Sequence, residues 1–192
     1  MQEILGFSNE EIASASKHEQ ILSMEIELES RCNLRCVYCY AGKNLFREDE
    51  LEQEELFDAI SQAKALGARK IIYVGAGEPL LDVKLRDILH YVHKLGLEHA
   101  LFTNGTLINT EMARLLFENE VSVIVKYPTM NEELFDRLAG CQGAYASMMR
   151  GLGYLRKVGY PSERHYLGVE SIVSNYTMEE IPGIWRWGAI IT

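Results

Sequence analysis

Residues 23–39 read SMEIELESRCNLRCVYC. Met24, Ile26 and Leu28 alternate with Ser23, Glu25 and Glu27, the period-two pattern of a strand with one buried face, so Ser23–Leu28 is expected as the first strand. Cys32, Cys36 and Cys39 follow at once, in the spacing C-x3-C-x2-C. A loop this tight aims three thiols at one centre, at the carboxyl end of a strand, where open α/β sheets and barrels carry their functional groups.

Outward from this stretch the chain keeps alternating. Gln53–Leu66 has Leu56, Ala59, Ile60 and Ala63 at helical spacing, with Gly67 as a stop. Lys70–Val74 is an apolar, β-branched strand ended by Gly75. Val83–Leu95 is a helix with Leu85, Ile88, Leu89 and Val92 inward, and His99–Phe102 is a short strand closed by Thr103, Asn104 and Gly105. Asn109 caps a helix to Glu118, Val121–Val125 is the fourth strand, and Asn131–Leu138 and Ala144–Val158 are helices split by a Gly140–Gly143 loop. Tyr166–Val173 is the fifth strand and Thr177–Trp187 the last helix, with Pro182 in its first turn or at a kink. Ahead of all this, Phe7–Gln20 reads as a short helix with Ser8 and Glu11 at capping-box spacing. Strands alternating with helices of about a dozen residues mean an α/β fold with a parallel sheet and right-handed crossovers. The organisation expected is a helical lead-in at 1–22 and a core domain at 23–192, in which Ala189–Thr192 starts a sixth strand with no helix after it, the mark of a fragment or a truncated gene product.

The 192 residues suffice for one domain with a sizeable core, and 47% hydrophobic with 24% charged residues is ordinary for a globular protein. A net charge of −9, with Lys and Arg scattered, argues against nucleic acid as a general partner. No stretch approaches the roughly 20 apolar residues of a membrane span, and Met1–Ser16, with Glu3, Glu10 and Glu11, lacks a signal peptide's basic start and apolar core. A cytoplasmic protein with no membrane partner is expected.

In such a compartment three cysteines within eight residues point to metal rather than disulfides. Zinc takes three cysteines and a histidine. Its motifs, however, pair C-x2-C with a second pair, whereas Cys141 stands alone and His90, His93, His99 and His165 are not at ligand spacing to it. Cys141 reads as a small apolar residue near a loop, and His90 and His93 as surface or satisfied core residues. An iron–sulfur cluster of four irons usually takes four thiolates; three leave one iron open to a substrate.

The cysteine spacing, the aromatic Tyr38 before the last cysteine and the position after strand one resemble the radical S-adenosylmethionine (radical SAM) superfamily. The resemblance runs over about Ser23–Asn175 and implies an incomplete (β/α)6, TIM-like barrel with outer helices, and a [4Fe–4S] cluster held by Cys32, Cys36 and Cys39. It further implies that the open iron chelates S-adenosylmethionine, and that one electron from the cluster cleaves the sulfonium to methionine and a 5′-deoxyadenosyl radical that takes a hydrogen atom from substrate. The electron would come from a donor such as a flavodoxin or ferredoxin.

Gly75-Ala76-Gly77-Glu78-Pro79 after strand two is by itself a strand-to-helix turn; the resemblance makes Gly75, Gly77 and Glu78 a loop that meets the cofactor's ammonium. In the same way Thr103 and Asn104 border its ribose and methionine end, and Tyr38 is an adenine neighbour through its backbone. On strand five, Gly168, Glu170 and Ser171–Asn175 are expected near the adenine, with Ile172 or Val173 in apolar contact. After strand four the family often has a serine or an acidic pair before a glycine, where this chain has Val125-Lys126-Tyr127-Pro128-Thr129. Lys126 either reaches into the site or is a solvated lysine, and the solvated reading is preferred. Trp185 and Trp187 are expected in the core or an interface. The expected function is a radical SAM enzyme, maturase-like, acting on a peptide or small molecule. Its rivals are a non-catalytic cluster-binding fragment and a structural zinc module.

Overall fold

The computed structural model describes residues 6–41 and 50–191. Its centre is a five-stranded, all-parallel sheet in sequence order: β1 (Ser23–Glu27), β2 (Lys70–Val74), β3 (Glu98–Thr103), β4 (Ser122–Lys126) and β5 (Leu167–Glu170). The crossovers are helical: α2 (Gln53–Ala65), α3 (Leu85–Lys94), α4 (Thr110–Glu118), and the pair α5 (Glu132–Ala139) and α6 (Ala144–Val158), with α7 (Ile181–Ile191) after β5. α1 (Asn9–Lys17) precedes the sheet and carries the expected capping box, Ser8 accepting from the Glu11 N–H while the Glu11 carboxylate accepts from the Ser8 N–H. It is tied to the start of β2 by the Arg69–Glu11 ion pair at 2.6 Å and by Phe7, whose ring faces the Arg69 and Lys70 cations.

The register aligns Met24 with Ile71, Ile71 with His99, Leu101 with Val123 and Val123 with Leu167, so these side chains share one face. On it Ile71, Tyr73, Leu101, Val123, Val125 and Leu167 are wholly buried, packed under Ile88, Leu89 and Val92 of α3, Leu116 of α4 and Met148 and Leu155 of α6. The other face is mixed. Ile72, Ala100 and Ile124 are buried in its middle, Glu25 and Glu27 are exposed on β1, and Lys126 and Glu170 pair across β4 and β5. Among the described residues the crossover helices cover one face, the arrangement of a partial barrel, and the sheet does not close: β1 and β5 are its two edges.

Two sequence expectations shift. Strand five stops at Glu170 rather than Val173, because the chain is drawn out of the ladder: the Ser171 hydroxyl donates to the Tyr127 carbonyl (2.5 Å) and the Thr177 hydroxyl to the Ile172 carbonyl (2.8 Å). The expected sixth strand at Ala189–Thr192 is instead the end of α7 through Ile191, Thr192 lying outside the described residues. Pro182 sits in that helix's first turn, where no intrahelical N–H is needed. Ile184 is buried, Trp187 stacks on Tyr127 with centroids 4.4 Å apart, and Trp185 is 79% exposed.

Leu101→Ala removes a fully buried side chain from the centre of the helix-covered face and should cost about 2–5 kcal/mol in urea unfolding. Val83→Ala, at a position 90% exposed, should stay within about 0.5 kcal/mol of the parent. Equal effects would mean the faces are assigned wrongly.

Candidate functional site

Three loops meet at the carboxyl end of the sheet. The first leaves β1. Cys32, Cys36 and Cys39 are half-buried and free of disulfides. The Leu34 N–H donates to the Cys32 sulfur (3.4 Å), the Cys39 N–H to the Cys36 carbonyl (3.1 Å), and the Arg35 guanidinium to the Cys32 and Leu34 carbonyls (2.5 and 2.7 Å). Burial pushes the Cys32 thiol pKa up, and the nearby Glu78 carboxylate and Cys39 add to it. Burial likewise raises Cys36, against the Tyr38 hydroxyl, which favours its thiolate. Tyr38 is half-buried; burial raises its phenol, helped by Cys36, Cys39 and Glu170. Among the described residues no three Cys, His, Asp or Glu side chains close around a single ion point. A cluster asks for a wider spread, because each thiolate takes a different iron.

The second loop, after β2, is pressed against the first. A Cβ on Gly77 would stand 2.1 Å from the Glu29 carbonyl oxygen and 2.5 Å from that of Arg31, so only glycine fits. Gly75 has φ of +137°, and a Cβ there would meet the Glu27 side chain at 2.8 Å. The Glu78 N–H donates to the Arg31 carbonyl (2.9 Å).

Glu78 is 2% exposed. Its carboxylate accepts from the Thr103 hydroxyl (2.6 Å) and the Leu80 N–H (3.2 Å) on one oxygen, and from the Asn104 N–H (2.8 Å) on the other. Burial raises its pKa against these donors. The carboxylate thus faces inward, bracing the third loop, which follows β3. Thr103 is buried within that brace. Asn104 reaches across instead: its side-chain N–H donates to the Asn33 oxygen (2.9 Å), the Asn33 N–H to the Thr106 hydroxyl (2.8 Å), and the Thr106 hydroxyl to the Asn104 oxygen (2.6 Å). This triangle joins the cysteine loop to the β3 loop.

The structure therefore gathers Cys32, Cys36, Cys39, Tyr38, Gly75, Gly77, Glu78, Thr103 and Asn104 at one end of the sheet. Lys126 differs from the expected solvated lysine: it pairs with Glu170 and lies 5.2 Å from the Phe102 ring centre. Val173 is 67% exposed, beyond the end of β5. Among the described residues no histidine joins the three cysteines in a group that could hold a single ion. His99 is buried, its Nε2–H donating to the Asn119 carbonyl (2.5 Å), and burial lowers its pKa to about 4; His165 bonds the Phe117 carbonyl (2.9 Å) and stacks on the Phe117 ring.

Sequence reading missed Asn33, Thr106 and Glu29. Glu29 is buried beside Arg31 at 2.6 Å; burial works to raise its pKa, but the Arg31 guanidinium and N–H hold it below the usual range. It also missed Asp82, one of whose oxygens has no hydrogen-bond partner among the described residues and whose pKa burial raises. Asn33 lies inside the cysteine motif, where spacing draws attention away from it. Glu29 follows strand one in phase with the exposed Glu25 and Glu27, so nothing in the sequence marks it as buried.

The family model for the radical SAM superfamily matches residues 26–184. The Fe-coproporphyrin III synthase of Methanosarcina barkeri is 32% identical over 156 residues, 81% of this chain and 38% of that protein. The AdoMet-dependent heme synthase of the same organism is 31% identical over 157 residues, 81% of this chain and 43% of that one. The chain thus spans less than half the length of these curated relatives. In fold it is similar to anSMEcpe with bound AdoMet, at a TM-score of 0.71 and 20% identity, over 86% of this chain and 46% of that one.

The Glu78 brace gives a direct test. Thr103→Val takes a donor from a buried carboxylate and should cost about 1–3 kcal/mol, while Thr103→Ser should recover most of it. Losing a donor destabilises the ionised form, raising the folded pKa of Glu78 further above its unfolded value. The penalty in urea titrations should therefore grow as pH rises through the folded pKa of Glu78 and be smallest in acid, below the ordinary carboxylate range. A pH-independent penalty would break the assignment.

Proposed function

The chain belongs to the radical SAM superfamily, and from that premise we propose that Cys32, Cys36 and Cys39 hold a [4Fe–4S] cluster on which S-adenosylmethionine binds, making the chain the core of a radical-generating enzyme. The observation that carries this reading is the convergence of the three-thiol loop with the glycine–glutamate and threonine–asparagine loops, through Gly77, Glu78 and the Asn33–Asn104–Thr106 triangle.

The donor set fits the group. Three soft thiolates from one loop suit iron–sulfur ligation and leave one iron without a protein ligand. When bound, the pair supplies reductive cleavage of the sulfonium, giving methionine and a 5′-deoxyadenosyl radical that abstracts hydrogen from substrate. The protein's part is binding, orientation and shielding. Leu34 N–H steadies the Cys32 sulfur. The backbone carbonyls of Gly75 and Gly77 would take the ammonium end of S-adenosylmethionine, with Glu78 holding Thr103 and Asn104 in place behind them. Tyr38 would flank the adenine. The substrate would approach the sheet face opposite the crossover helices, over Phe102 with the Lys126–Glu170 pair beside it. The relatives named for coproporphyrin and heme make a tetrapyrrole the first substrate class to try, ahead of a peptide; a flavodoxin or ferredoxin would supply the electron.

Anaerobically reconstituted, dithionite-reduced protein should give a [4Fe–4S] paramagnetic resonance signal whose shape changes when S-adenosylmethionine is added, and 5′-deoxyadenosine should form. A cluster signal indifferent to S-adenosylmethionine would reduce the chain to a cluster-binding fragment; stoichiometric zinc with no iron chromophore would overturn the reading. Alanine at Cys32, Cys36 or Cys39 should abolish the cluster, and Cys141→Ala, at an exposed thiol, should keep full iron.

A further inference from the structure

The cysteine loop has a fourth neighbour outside the three loops of the site. The Arg35 N–H donates to the Ala139 carbonyl and the Val37 N–H to the Leu138 carbonyl, both at 2.9 Å. These carbonyls belong to the last turn of α5, where a helix has no N–H of its own to offer them. The loop between Cys32 and Cys39 is therefore bonded, residue by alternate residue, to a helix end more than a hundred residues away in sequence.

Gly140 makes the approach possible. It closes α5 in the left-handed conformation (φ 62°, ψ 28°), and a Cβ there would stand 2.5 Å from the Arg35 carbonyl oxygen and 3.1 Å from the Arg35 carbonyl carbon. Behind this contact α5 is held stiffly. Asn131 caps its start on the Leu134 N–H (2.9 Å), Phe135 and Ala139 are buried, and the Asp136 carboxylate accepts from the Gly143 and Tyr145 N–H groups (2.5 and 2.9 Å), fixing the turn into α6. On the loop side, the same Arg35 whose backbone touches Gly140 places its guanidinium on the Cys32 and Leu34 carbonyls.

We propose that the C-terminal turn of α5 is the seat of the cluster-binding loop, with Gly140 as a positioning residue that sets where Cys36 and Cys39 stand relative to Cys32. The proposal rests on those cysteines being the cluster ligands, and it concerns how the chain presents them before any iron arrives.

A matched control lies three residues on. Gly143 is also left-handed (φ 79°), but a Cβ there meets nothing within 4 Å. Gly140→Ala and Gly143→Ala therefore share the backbone strain of a left-handed alanine and differ in the clash with Arg35. In the apo protein, alkylation of Cys36 and Cys39 should speed up by about tenfold in Gly140→Ala, the effect of weakening two backbone hydrogen bonds, and stay near the parent rate in Gly143→Ala. After anaerobic reconstitution, Gly140→Ala should hold less iron per chain, or give a cluster signal with shifted g values, at a thermal midpoint close to that of Gly143→Ala. Equal alkylation, iron and spectra in the two variants would overturn the proposal. Should Gly140→Ala fail to fold, hydrogen exchange in the parent apo protein decides: the Arg35 and Val37 amides should exchange as slowly as those of α5 and together with them, and fast exchange independent of α5 would overturn the seat. A parent chain that takes up no iron sinks the cluster reading, whereas the alkylation and exchange results judge the seat on the apo protein alone.

Discussion

A buried carboxylate organises the functional end of this molecule. Glu78 has left water completely, and a carboxylate there is tolerable because three donors surround it: a threonine hydroxyl and two backbone N–H groups. Two of the donors come from the last residue of β3 and the loop after it, while the Glu78 backbone N–H is given to the loop after β1. One residue thus binds three consecutive strand ends together. The desolvation that raises its pKa is also what makes its geometry strict, since any donor withdrawn leaves a charge in a dry site.

From that fixed point the cysteine loop is held on two sides. Towards the sheet it meets Gly77 at a distance that excludes any side chain, and it shares the Asn33–Asn104–Thr106 triangle with the β3 loop. Away from the sheet it lies on the end of α5. Burial raises the pKa of two of the half-buried thiols, Cys32 and Cys36, which disfavours their thiolates. If these cysteines hold a cluster, a loop ordered in advance would leave the metal only the cost of deprotonation and not that of folding the loop.

The sheet order and the helices α1 to α6 were legible in the sequence because each strand is five or so β-branched or alternating residues closed by a glycine or a polar turn, and each of these helices carries an apolar stripe; the last helix was expected at Thr177–Trp187 and lies four residues further on. Asn109 and the Ser8–Glu11 pair even gave the caps. Strand five was overdrawn because Ser171, Ile172 and Val173 have strand propensity, and only the tertiary bonds to Tyr127 and Thr177 remove them. The last residues misled for a related reason: Ala-Ile-Ile is equally apolar in a strand or a helix, and the packing of Ile184 and Trp187 decides for the helix. In the site, spacing found the thiols and the glycine turn but gave no direction for side chains. The resemblance placed Glu78 at the cofactor's ammonium, and the spacing gave no sign that its carboxylate would also bond Thr103 and Asn104 of the next loop. Gly140 was visible only as a loop residue, since its partner Arg35 is distant in sequence and no periodicity links them.

α5 also joins two connections that are distant in sequence. At its start, the Thr129 hydroxyl and the Met130 N–H donate to the Glu180 carboxylate (2.8 and 2.7 Å), which belongs to the connection between β5 and α7. At its end it carries the cysteine loop. An eight-residue helix spans about 12 Å, so one short element runs from the connection that carries Glu180 to the cysteine loop. α5 is thus bonded at both ends and packed along one face by Phe135, Leu138 and Ala139. The separation between the two connections is then set by the length of a helix, and not by the reach of a flexible loop.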